Sequence, residues 1–262
     1  MKNNKKNALI TGASSGIGYE FAKVFAENGY NLILTARRGD RLKELKQELQ
    51  KKYNCQVLVI DMDLSSEESV QKLYKYIDER KIDINVLINN AGIGYCGPFN
   101  SINLEKHRKT INLNVMTLTS LTYLISSQMI KRKDGIILNV ASTGSYEPGP
   151  LINVYYATKA YVLSFSEALY NELKPYNILV STLCPGTTST EFSINSGKGE
   201  LKNSMSAEKV ARIGYEGLMM RKRVIIPGTM NKILVIMCKI LPRRILANIV
   251  RKIQSHAIDM IK

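Results

Sequence analysis

The sequence predicts an α/β fold, with a doubly wound parallel sheet and helices on both of its faces. Short β-branched runs alternate with longer segments of helical spacing along most of the 262 residues, an alternation typical of parallel sheets. A glycine-rich turn follows the first run, and polar motifs follow the later ones. Such sheets bind ligands beyond the carboxyl ends of their strands, so we expect the chemistry to lie there.

Seven short apolar runs predict strands, and five longer segments predict helices. Gly29 ends the first helical pattern, and Pro175 ends the fifth. The second helix is amphipathic, and the third has an acidic first turn. The strands are expected at 8–11, 31–36, 57–61, 86–89, 135–140, 178–183 and 224–226, and the helices at 16–28, 41–53, 66–80, 103–131 and 155–173.

The first polar motif lies between the first strand and the first helix. Its glycines permit a tight turn and a close approach of the backbone to a diphosphate, and free amides at the helix N-terminus attract the anion. The spacing Gly-x-x-x-Gly-x-Gly differs from the commoner dinucleotide fingerprint, and an ordinary glycine-rich connection is the alternative. The motif comprises Thr11, Gly12, Ser14, Ser15, Gly16, Ile17 and Gly18.

Two arginines, Arg37 and Arg38, follow the second strand. A site that selects NAD usually has an acid about 20 residues beyond the glycine loop, where it binds the ribose 2′-hydroxyl. Here two guanidinium groups stand in that region, and they suit a 2′-phosphate. The pattern favours NADP(H) as the cofactor, with Arg37 as the first candidate to bind the 2′-phosphate and Arg38 as the second, and the alternative is that both arginines are solvated turn residues.

Further cofactor contacts are expected after the third and fourth strands. Asp63 can accept a hydrogen bond from an adenine amino group, and Ser65 with Glu68 also matches a capping box for the next helix. Small residues after the fourth strand let the chain run against a flat ligand, and Asn90 can tie adjacent strand ends together. The predicted contacts in these two turns are Asp63, Leu64, Asn90, Ala91 and Gly92.

The turn after the sixth strand redirects the chain over the expected site. Its hydroxyl groups could hold a carboxamide, and the polar segment 187–205 is interpreted as a lid or, alternatively, as a mobile loop. The predicted contacts here are Pro185, Gly186, Thr188 and Thr190.

The fifth helix contains the pair Tyr155/Lys159, whose spacing places both side chains on one face. An ammonium beside a phenol lowers the pKa of the phenol and makes it a usable acid or base near neutrality. The spacing alone indicates little, because Tyr19/Lys23 and Tyr170/Lys174 match it too. Context separates Tyr155, since Ser142 lies thirteen residues earlier and Asn114 lies in the preceding long helix.

Taken together, these motifs resemble the short-chain dehydrogenase/reductase family over roughly residues 5–228, especially its bacterial ketoacyl-reductase-like, NADP-dependent members. The resemblance implies a seven-stranded Rossmann fold and the interconversion of a carbonyl and an alcohol by direct hydride transfer, without a metal. The chain departs from the family pattern at Thr187, where relatives often have another residue, and in the segment after residue 228.

The resemblance also implies a role for each catalytic residue. Tyr155 is the acid/base that donates a proton to the carbonyl oxygen, and Ser142 hydrogen-bonds that oxygen. Lys159 binds the nicotinamide ribose and lowers the Tyr155 pKa. Asn114 supports a water-linked proton relay to Lys159, and Asn112 is the alternative candidate for that role.

The expected walls of the substrate pocket are formed by residues 93–100, 144–154 and 187–205. Their apolar and aromatic side chains favour a hydrophobic carbonyl over a sugar. Relatives commonly form dimers or tetramers through their two long helices, here 103–131 and 153–173, so we expect a homodimer or homotetramer. The expected lining residues are Gly94, Tyr95, Phe99, Tyr146, Leu151 and Phe192.

Composition argues against several other classes of protein. Four scattered cysteines without a Cys-x-x-Cys pair disfavour a disulfide scaffold or a zinc site, and His107 and His256 are the only histidines. No apolar run approaches the ~18 residues of a spanning helix, and no signal-peptide pattern precedes the first glycine loop. We therefore expect no metal and a cytoplasmic protein, with peripheral contact at a membrane surface as an option.

The formal net charge of +15 is concentrated at the ends of the chain. Residues 217–262 carry +9, whereas residues 7–216 carry only +3. Because the basic residues are terminal and no binding motif accompanies them, a nucleic-acid partner is disfavoured.

The segment 229–262 is predicted to be a basic amphipathic helical extension of a catalytic domain that spans 1–228. Pro242 divides it into two stretches, each with an apolar stripe and basic residues on another face. The extension could lie on an anionic membrane surface, or it could pack over the pocket or a partner subunit. The two stripes are Ile233, Leu234, Met237, Ile240 and Leu241, and then Ile245, Leu246, Ile249, Val250 and Ile253.

Three functions compete on these observations. The first is an active oxidoreductase that acts on a small-molecule carbonyl or alcohol, and the second is a nucleotide-sensing or scaffolding protein without turnover. The third is the nucleic-acid binder. The first is favoured because every expected catalytic residue is present.

Overall fold

The computed structural model describes residues 5–197, 199 and 204–259. Within these residues, seven parallel strands form the central sheet in the order β3-β2-β1-β4-β5-β6-β9. The strands are β1 (Asn7–Thr11), β2 (Asn31–Ala36), β3 (Val57–Asp61), β4 (Val86–Asn89), β5 (Gly135–Val140), β6 (Ile178–Leu183) and β9 (Val224–Ile225). Two short strands, β7 (Thr188–Ser189) and β8 (Met205–Ser206), pair outside this sheet.

Helices cover both faces of the sheet. Phe21 and Val210 belong to the core on one face, and Leu73, Leu121 and Ile125 belong to the core on the other. The helices are α1 (Gly16–Glu27), α2 (Gly39–Lys52), α3 (Glu67–Glu79), α4 (Leu104–Ile111), α5 (Leu118–Arg132), α6 (Asn153–Leu173), α7 (Glu191–Asn195), α8 (Ala207–Met219), α9 (Thr229–Ile240) and α10 (Arg243–Asp259).

The predicted α/β class and the parallel sheet are confirmed. Each predicted strand is present with ends within one residue of the expected ones. Every residue of β2 and β6 is buried, because helices cover both faces of a doubly wound sheet. The chain reverses its direction of winding between β1 and β4, so the carboxyl ends of these two strands form the topological switch point.

Two helical predictions need correction. The expected helix 103–131 is interrupted by a wide π-helical turn, Asn112–Thr117, between α4 and α5, a feature that is frequent at functional sites. The expected capping box of Ser65 with Glu68 is wrong. The helix α3 is instead capped by Ser66, whose hydroxyl accepts a hydrogen bond from Ser69 N at 3.3 Å.

The helix α8 is absent from the sequence prediction, and it contains Gly214 and Gly217, which are unfavourable in a helix interior. The packing explains both glycines. A Cβ added at Gly214 would lie 2.8 Å from Phe21 Cζ, and a Cβ added at Gly217 would lie 2.8 Å from side-chain atoms of Ile225. The two glycines therefore allow α8 to lie closely against α1 and β9.

The helices α9 and α10 contact the rest of the protein through only part of their apolar surface. Val235 and Cys238 of α9 and Leu246 and Val250 of α10 are buried. A stripe that packed over the core would be buried. Most of the apolar stripe predicted on α9 is instead exposed, and Ile240 is 76% exposed. The last residues of the predicted extension, 260–262, lie outside the described part of the chain.

Candidate active site

The carboxyl ends of β1 and β4 are tied together beneath the glycine-rich loop. Thr11 Oγ1 accepts hydrogen bonds from the backbone N–H groups of Asn90 and Ala91, both at 3.0 Å, and Asn90 Nδ2 donates to Thr11 O at 2.9 Å. Gly12 and Gly16 have φ angles of +68° and +57°, which favour glycine. The loop is thus fixed at the switch point, directly before the N-terminus of α1.

Gly18→Ala is expected to destabilise the protein. A Cβ at this position would lie 2.4 Å from Asn90 Nδ2 and 2.5 Å from Gly12 O, and that backbone oxygen cannot move without distorting the loop. Such overpacking costs about 1–3 kcal/mol. The midpoint temperature of thermal unfolding should be well below that of the wild type. It should also be well below that of Glu27→Ala, a control at the exposed end of the same helix. Equal midpoints for all three proteins would contradict the close approach.

Arg38 is the guanidinium that lies against the glycine-rich loop. Its Nη2 donates to Ser15 Oγ at 2.7 Å and to Ser14 Oγ at 3.3 Å, and its Nη1 pairs with Glu191 Oε2 at 2.7 Å. Arg37 lines the same cavity. The sequence prediction names Arg37 as the first candidate for the 2′-phosphate. In the structure, Arg38 is the arginine that contacts the two serine hydroxyl groups. An arginine fork with two serine hydroxyls is a donor set that suits a phosphate.

Ser142 and Tyr155 meet beyond the carboxyl end of β5. Ser142 begins a 3₁₀ turn, its Oγ accepts from Gly144 N at 3.1 Å, and its side chain is also hydrogen-bonded to Tyr155. Gly94 leaves room for the phenol ring, because a Cβ there would lie 2.7 Å from Tyr155 Cδ2. The phenol is therefore enclosed between the turn after β5 and the segment that follows β4.

Burial sets the protonation of the two central groups. It raises the pKa of Tyr155 above its usual value, while the hydrogen bond with Ser142 acts in the opposite direction. It lowers the pKa of Lys159 to about 8, and Lys159 Nζ donates to Val140 O at 2.7 Å. The lowering of the Tyr155 pKa by Lys159 stays a prediction, since burial has the largest effect on the phenol in this arrangement and Lys159 Nζ lies 5.7 Å from the ring centroid. Tyr155 is thus a protonated phenol at neutral pH.

Asn114 lies in the π-helical turn and is buried, whereas Asn112 is exposed. The Asn114 Oδ1 accepts from Ile93 N at 3.0 Å, and its Nδ2 donates to Ile93 O at 2.9 Å. A Cβ on Gly92 would lie 3.3 Å from Asn114 Oδ1 and 3.4 Å from Lys159 Nζ. Both groups therefore border Gly92, and of the two asparagine candidates the structure brings Asn114 towards the lysine.

A cavity of about 580 Å³ runs from Arg38 to Tyr155. Gly18 lies beneath its glycine-rich wall, and Asn114 lies behind Gly92. The shape and donor groups of the walls fit a dinucleotide, with anion-binding groups at one end and the phenol at the other. The predicted site residues that line it are Gly12, Ser14, Ser15, Gly16, Ile17, Arg37, Arg38, Asp63, Leu64, Asn90, Ala91, Gly92, Ser142, Tyr155, Lys159, Pro185, Gly186, Thr188 and Thr190.

Of the six residues expected in the substrate pocket, Gly94, Tyr95 and Phe192 line the cavity. The other three contribute elsewhere. Phe99 stacks on His107 with ring centroids 4.9 Å apart, the Tyr146 hydroxyl lies 4.0 Å from Cys184 Sγ, and Leu151 O accepts from Gly97 N. These three residues are not among those that line the cavity.

The cavity also contains residues that the sequence analysis does not name, above all Glu191 and Tyr156. Glu191 lies 153 residues beyond Arg38 and 150 beyond Arg41, so no local pattern indicates that the three side chains meet. The predicted lid contains β7 and α7 in the structure, and its residues 198 and 200–203 lie outside the described part. In the described chain, no group of three His, Cys, Asp or Glu side chains could hold a metal ion.

Comparison with family models matches residues 6–201 to the short chain dehydrogenase family. The chain is 33% identical to the very-long-chain 3-oxoacyl-CoA reductase of Rattus norvegicus over 190 residues, 71% of this chain and 60% of that protein. It is 35% identical to the same-named protein of Pyrenophora tritici-repentis over 192 residues, 71% of this chain and 56% of that protein. The chain thus matches less than two thirds of the length of either relative.

Two solved structures are similar over most of their length. A short-chain dehydrogenase from Sphingobium yanoikuyae in complex with NADPH has a TM-score of 0.82 and 32% identity, covering 86% of this chain and 88% of that one. The bulky-bulky ketone specific alcohol dehydrogenase from Comamonas testosteroni has a TM-score of 0.79 and 28% identity, covering 99% and 96%. The similarity to the second protein includes α9 and α10. The expected family and its seven-stranded fold are therefore confirmed.

Proposed function

The chain belongs to the short-chain dehydrogenase family, and we propose that it is an NADP(H)-dependent oxidoreductase that interconverts a carbonyl and an alcohol. The observation that carries the proposal is the convergence of Arg38, Ser142, Tyr155 and Lys159 on one cavity. The NADPH complex of the Sphingobium relative supports the cofactor. The donor set of Arg38 with two serine hydroxyls supports a 2′-phosphate in place of a 2′-hydroxyl.

The residues of the cavity suggest how each step is divided among them. When bound, the nicotinamide supplies or accepts the hydride. Ser142 hydrogen-bonds the carbonyl oxygen and stabilises the charge that develops on it. Tyr155, a protonated phenol at neutral pH, gives its proton to that oxygen during reduction. Lys159 holds the nicotinamide ribose, and Asn114, which borders Gly92 together with Lys159, supports a water-linked relay that returns a proton to Tyr155 through Lys159.

The proposed substrate is a hydrophobic ketone or 3-oxoacyl thioester. Tyr95, Tyr156 and Phe192 surround the catalytic end of the cavity, and the Phe192 ring centroid lies 5.0 Å from that of Tyr155. The rat and fungal relatives are named for very-long-chain 3-oxoacyl-CoA, and the Comamonas relative for bulky ketones. NADPH consumption is measured with 3-oxoacyl-CoA thioesters of increasing chain length, bulky ketones and keto sugars. Turnover of the keto sugars alone would contradict the proposal.

The proposed assembly is a homodimer or homotetramer formed through the helices α4 to α6. Leu104, Met116, Tyr123 and Tyr161 are large exposed side chains on these helices or the turn between them, and Tyr123 is 72% exposed. Burial of such side chains against a second copy is favourable. Light scattering of the purified protein measures the mass. A dimer that Tyr123→Asp converts to a monomer supports this interface, whereas a wild-type monomer contradicts it.

The helices α9 and α10 are proposed to lie on an anionic membrane surface. Among the described residues, no helix is both long enough and apolar enough to cross a bilayer. These two helices nevertheless turn apolar side chains outward, and residues 217–262 carry a charge of +9. An apolar face next to basic residues is the combination that binds anionic lipid surfaces. The exposed side chains are Met230, Ile233, Leu234, Ile236, Met237, Ile240, Ile245, Ile249 and Ile253.

Sedimentation with vesicles tests the membrane proposal. The wild-type protein should sediment with phosphatidylglycerol vesicles at low salt, and less at high salt or with neutral phosphatidylcholine. Arg243→Glu/Arg244→Glu should weaken binding by more than tenfold, since each basic residue contributes about 1 kcal/mol. Lys72→Glu/Lys75→Glu on α3 makes the same charge change and should leave binding nearly unchanged. A wild-type protein that ignores anionic vesicles at low salt would overturn the proposal.

A further inference from the structure

The short helix α7 contacts both ends of the cavity. At its first residue, Glu191 forms ion pairs with Arg38 Nη1, at 2.7 Å, and with Arg41 Nη1. At its second residue, Phe192 packs on Tyr155 with ring centroids 5.0 Å apart. Two adjacent residues thus connect the guanidinium beside the glycine-rich loop with the candidate catalytic phenol.

Arg38 forms an ion pair with the Glu191 carboxylate at the place where the 2′-phosphate of the cofactor is expected. The guanidinium that donates to Ser14 and Ser15 also holds the Glu191 carboxylate. Hydrogen bonds from Arg41 and Arg38 keep the pKa of Glu191 below its usual value, so the carboxylate is charged at neutral pH. A 2′-phosphate bound by the same guanidinium would be repelled by this carboxylate. The two anions therefore compete for Arg38.

We propose that Glu191 occupies Arg38 when no 2′-phosphate is bound and gives it up when NADP(H) binds. The inference rests on the proposed NADP(H) specificity and adds a specificity-determining residue to it. Because Phe192 follows Glu191 directly and packs on Tyr155, the exchange also changes the position of the Phe192 ring at the catalytic end of the cavity. NADH carries a hydroxyl in place of the phosphate and leaves the Glu191–Arg38 pair closed.

A binding experiment without turnover tests the competition. Adenosine 2′,5′-bisphosphate and 5′-AMP differ only in the 2′-phosphate, and calorimetry gives the Kd of each. Glu191→Gln removes the charge at nearly constant shape. It should tighten binding of the bisphosphate about three- to tenfold, the range for a partly exposed charge-assisted contact. Binding of 5′-AMP should stay within about twofold of wild type. Glu208→Gln removes another carboxylate that pairs with an arginine, Arg212, and should change neither Kd.

A fluorescent reporter tests the coupled movement. The chain contains no tryptophan, so Phe192→Trp introduces a single tryptophan, beside Tyr155. The bisphosphate should shift its emission, and 5′-AMP should not. In the double variant with Glu191→Gln, the emission should already resemble the shifted state before any nucleotide is added. Identical emission with both nucleotides would overturn the movement of Phe192.

The outcomes separate this inference from the proposed function. If the wild-type protein binds the bisphosphate and 5′-AMP equally, the proposed NADP(H) specificity fails and the inference fails with it. If the wild-type protein prefers the bisphosphate but Glu191→Gln leaves that Kd unchanged or weakens it, the specificity stands and the role of Glu191 is overturned.

Discussion

Tyr155→Phe is expected to lower kcat for carbonyl reduction by about 10²–10⁴-fold, the usual contribution of a positioned general acid. The substitution removes the hydroxyl that hydrogen-bonds with Ser142 and holds the transferable proton. The ring remains, so its contacts with Phe192 and Tyr156 should persist. Initial rates of NADPH consumption measure the loss, and calorimetric titration should give an NADPH Kd within about threefold of wild type.

Tyr170→Phe is the matched control for this prediction. Tyr170 lies on the same helix, α6, and Lys174 follows it at the same four-residue spacing. Loss of its hydroxyl should change kcat little, because Tyr170 is half-buried against the core clusters and lies outside the cavity lining. Turnover by Tyr155→Phe within about threefold of wild type, a barrier change below ~1 kcal/mol, would contradict the assignment.

Arg38→Ala is expected to remove the preference for NADPH over NADH. Losing one charge-assisted contact to the 2′-phosphate costs about 1.5–3 kcal/mol, which lowers kcat/KM for NADPH by roughly 10- to 100-fold. The value for NADH should change much less, because its 2′-hydroxyl carries no charge. The measurement is kcat/KM with both cofactors and one carbonyl substrate.

Two further arginine variants separate the alternatives. Arg37→Ala tests the residue that sequence spacing puts first, and we expect a smaller loss because Arg38 holds the two serine hydroxyls. Arg212→Ala removes an exposed arginine that also pairs with carboxylates, and it should leave the cofactor ratio unchanged. An unchanged NADPH/NADH ratio in both Arg37→Ala and Arg38→Ala would show that neither guanidinium binds the 2′-phosphate.

The elements of the sheet could be predicted because their patterns are dictated by burial. A strand covered on both faces must be mostly apolar, as β2 and β6 are, and its neighbours in the chain must be helices long enough to cross the sheet. The helix α8 could not be predicted in the same way. Its two glycines are there for close packing with Phe21 and Ile225, and that packing is visible only when α1 and β9 are in place.

In the site, residues that neighbouring sequence indicates could be predicted, whereas residues that depend on contacts distant in the sequence could not. Turns at strand ends carry their own chemistry, so the places of the glycine-rich loop and Ser142 could be predicted from the sequence, and helical spacing predicted that Lys159 lies on the same face as Tyr155. The place of Glu191 in the site could not be predicted, because its ion pairs form with two arginines about 150 residues earlier, Arg38 and Arg41. The direction of the Tyr155 pKa shift also needed the structure, since it depends on how deeply the phenol is enclosed.

On α9, periodicity predicts a helix but does not determine its rotation. Apolar residues occupy most of its circumference, so several rotations would bury an apolar stripe. The structure places Val235 and Cys238 against the protein and leaves Leu234 and Met237 on the outer side. The contacts of the helix with the turn after β5, among them the hydrogen bond from Cys238 Sγ to Glu147 Oε2 at 3.4 Å, contribute to selecting one of these rotations.

We propose that this chain transfers hydride directly between NADPH and a hydrophobic carbonyl carbon, with Tyr155 supplying the proton. The most direct measurement uses NADPH with deuterium at both positions of nicotinamide C4, a 3-oxoacyl thioester or bulky ketone, and mass spectrometry of the product. We expect an alcohol with one deuterium on the carbinol carbon from the wild-type protein, and almost none of this alcohol from Tyr155→Phe at the same concentration. An alcohol without deuterium, equal yields from both proteins, or no alcohol from any hydrophobic carbonyl would contradict it.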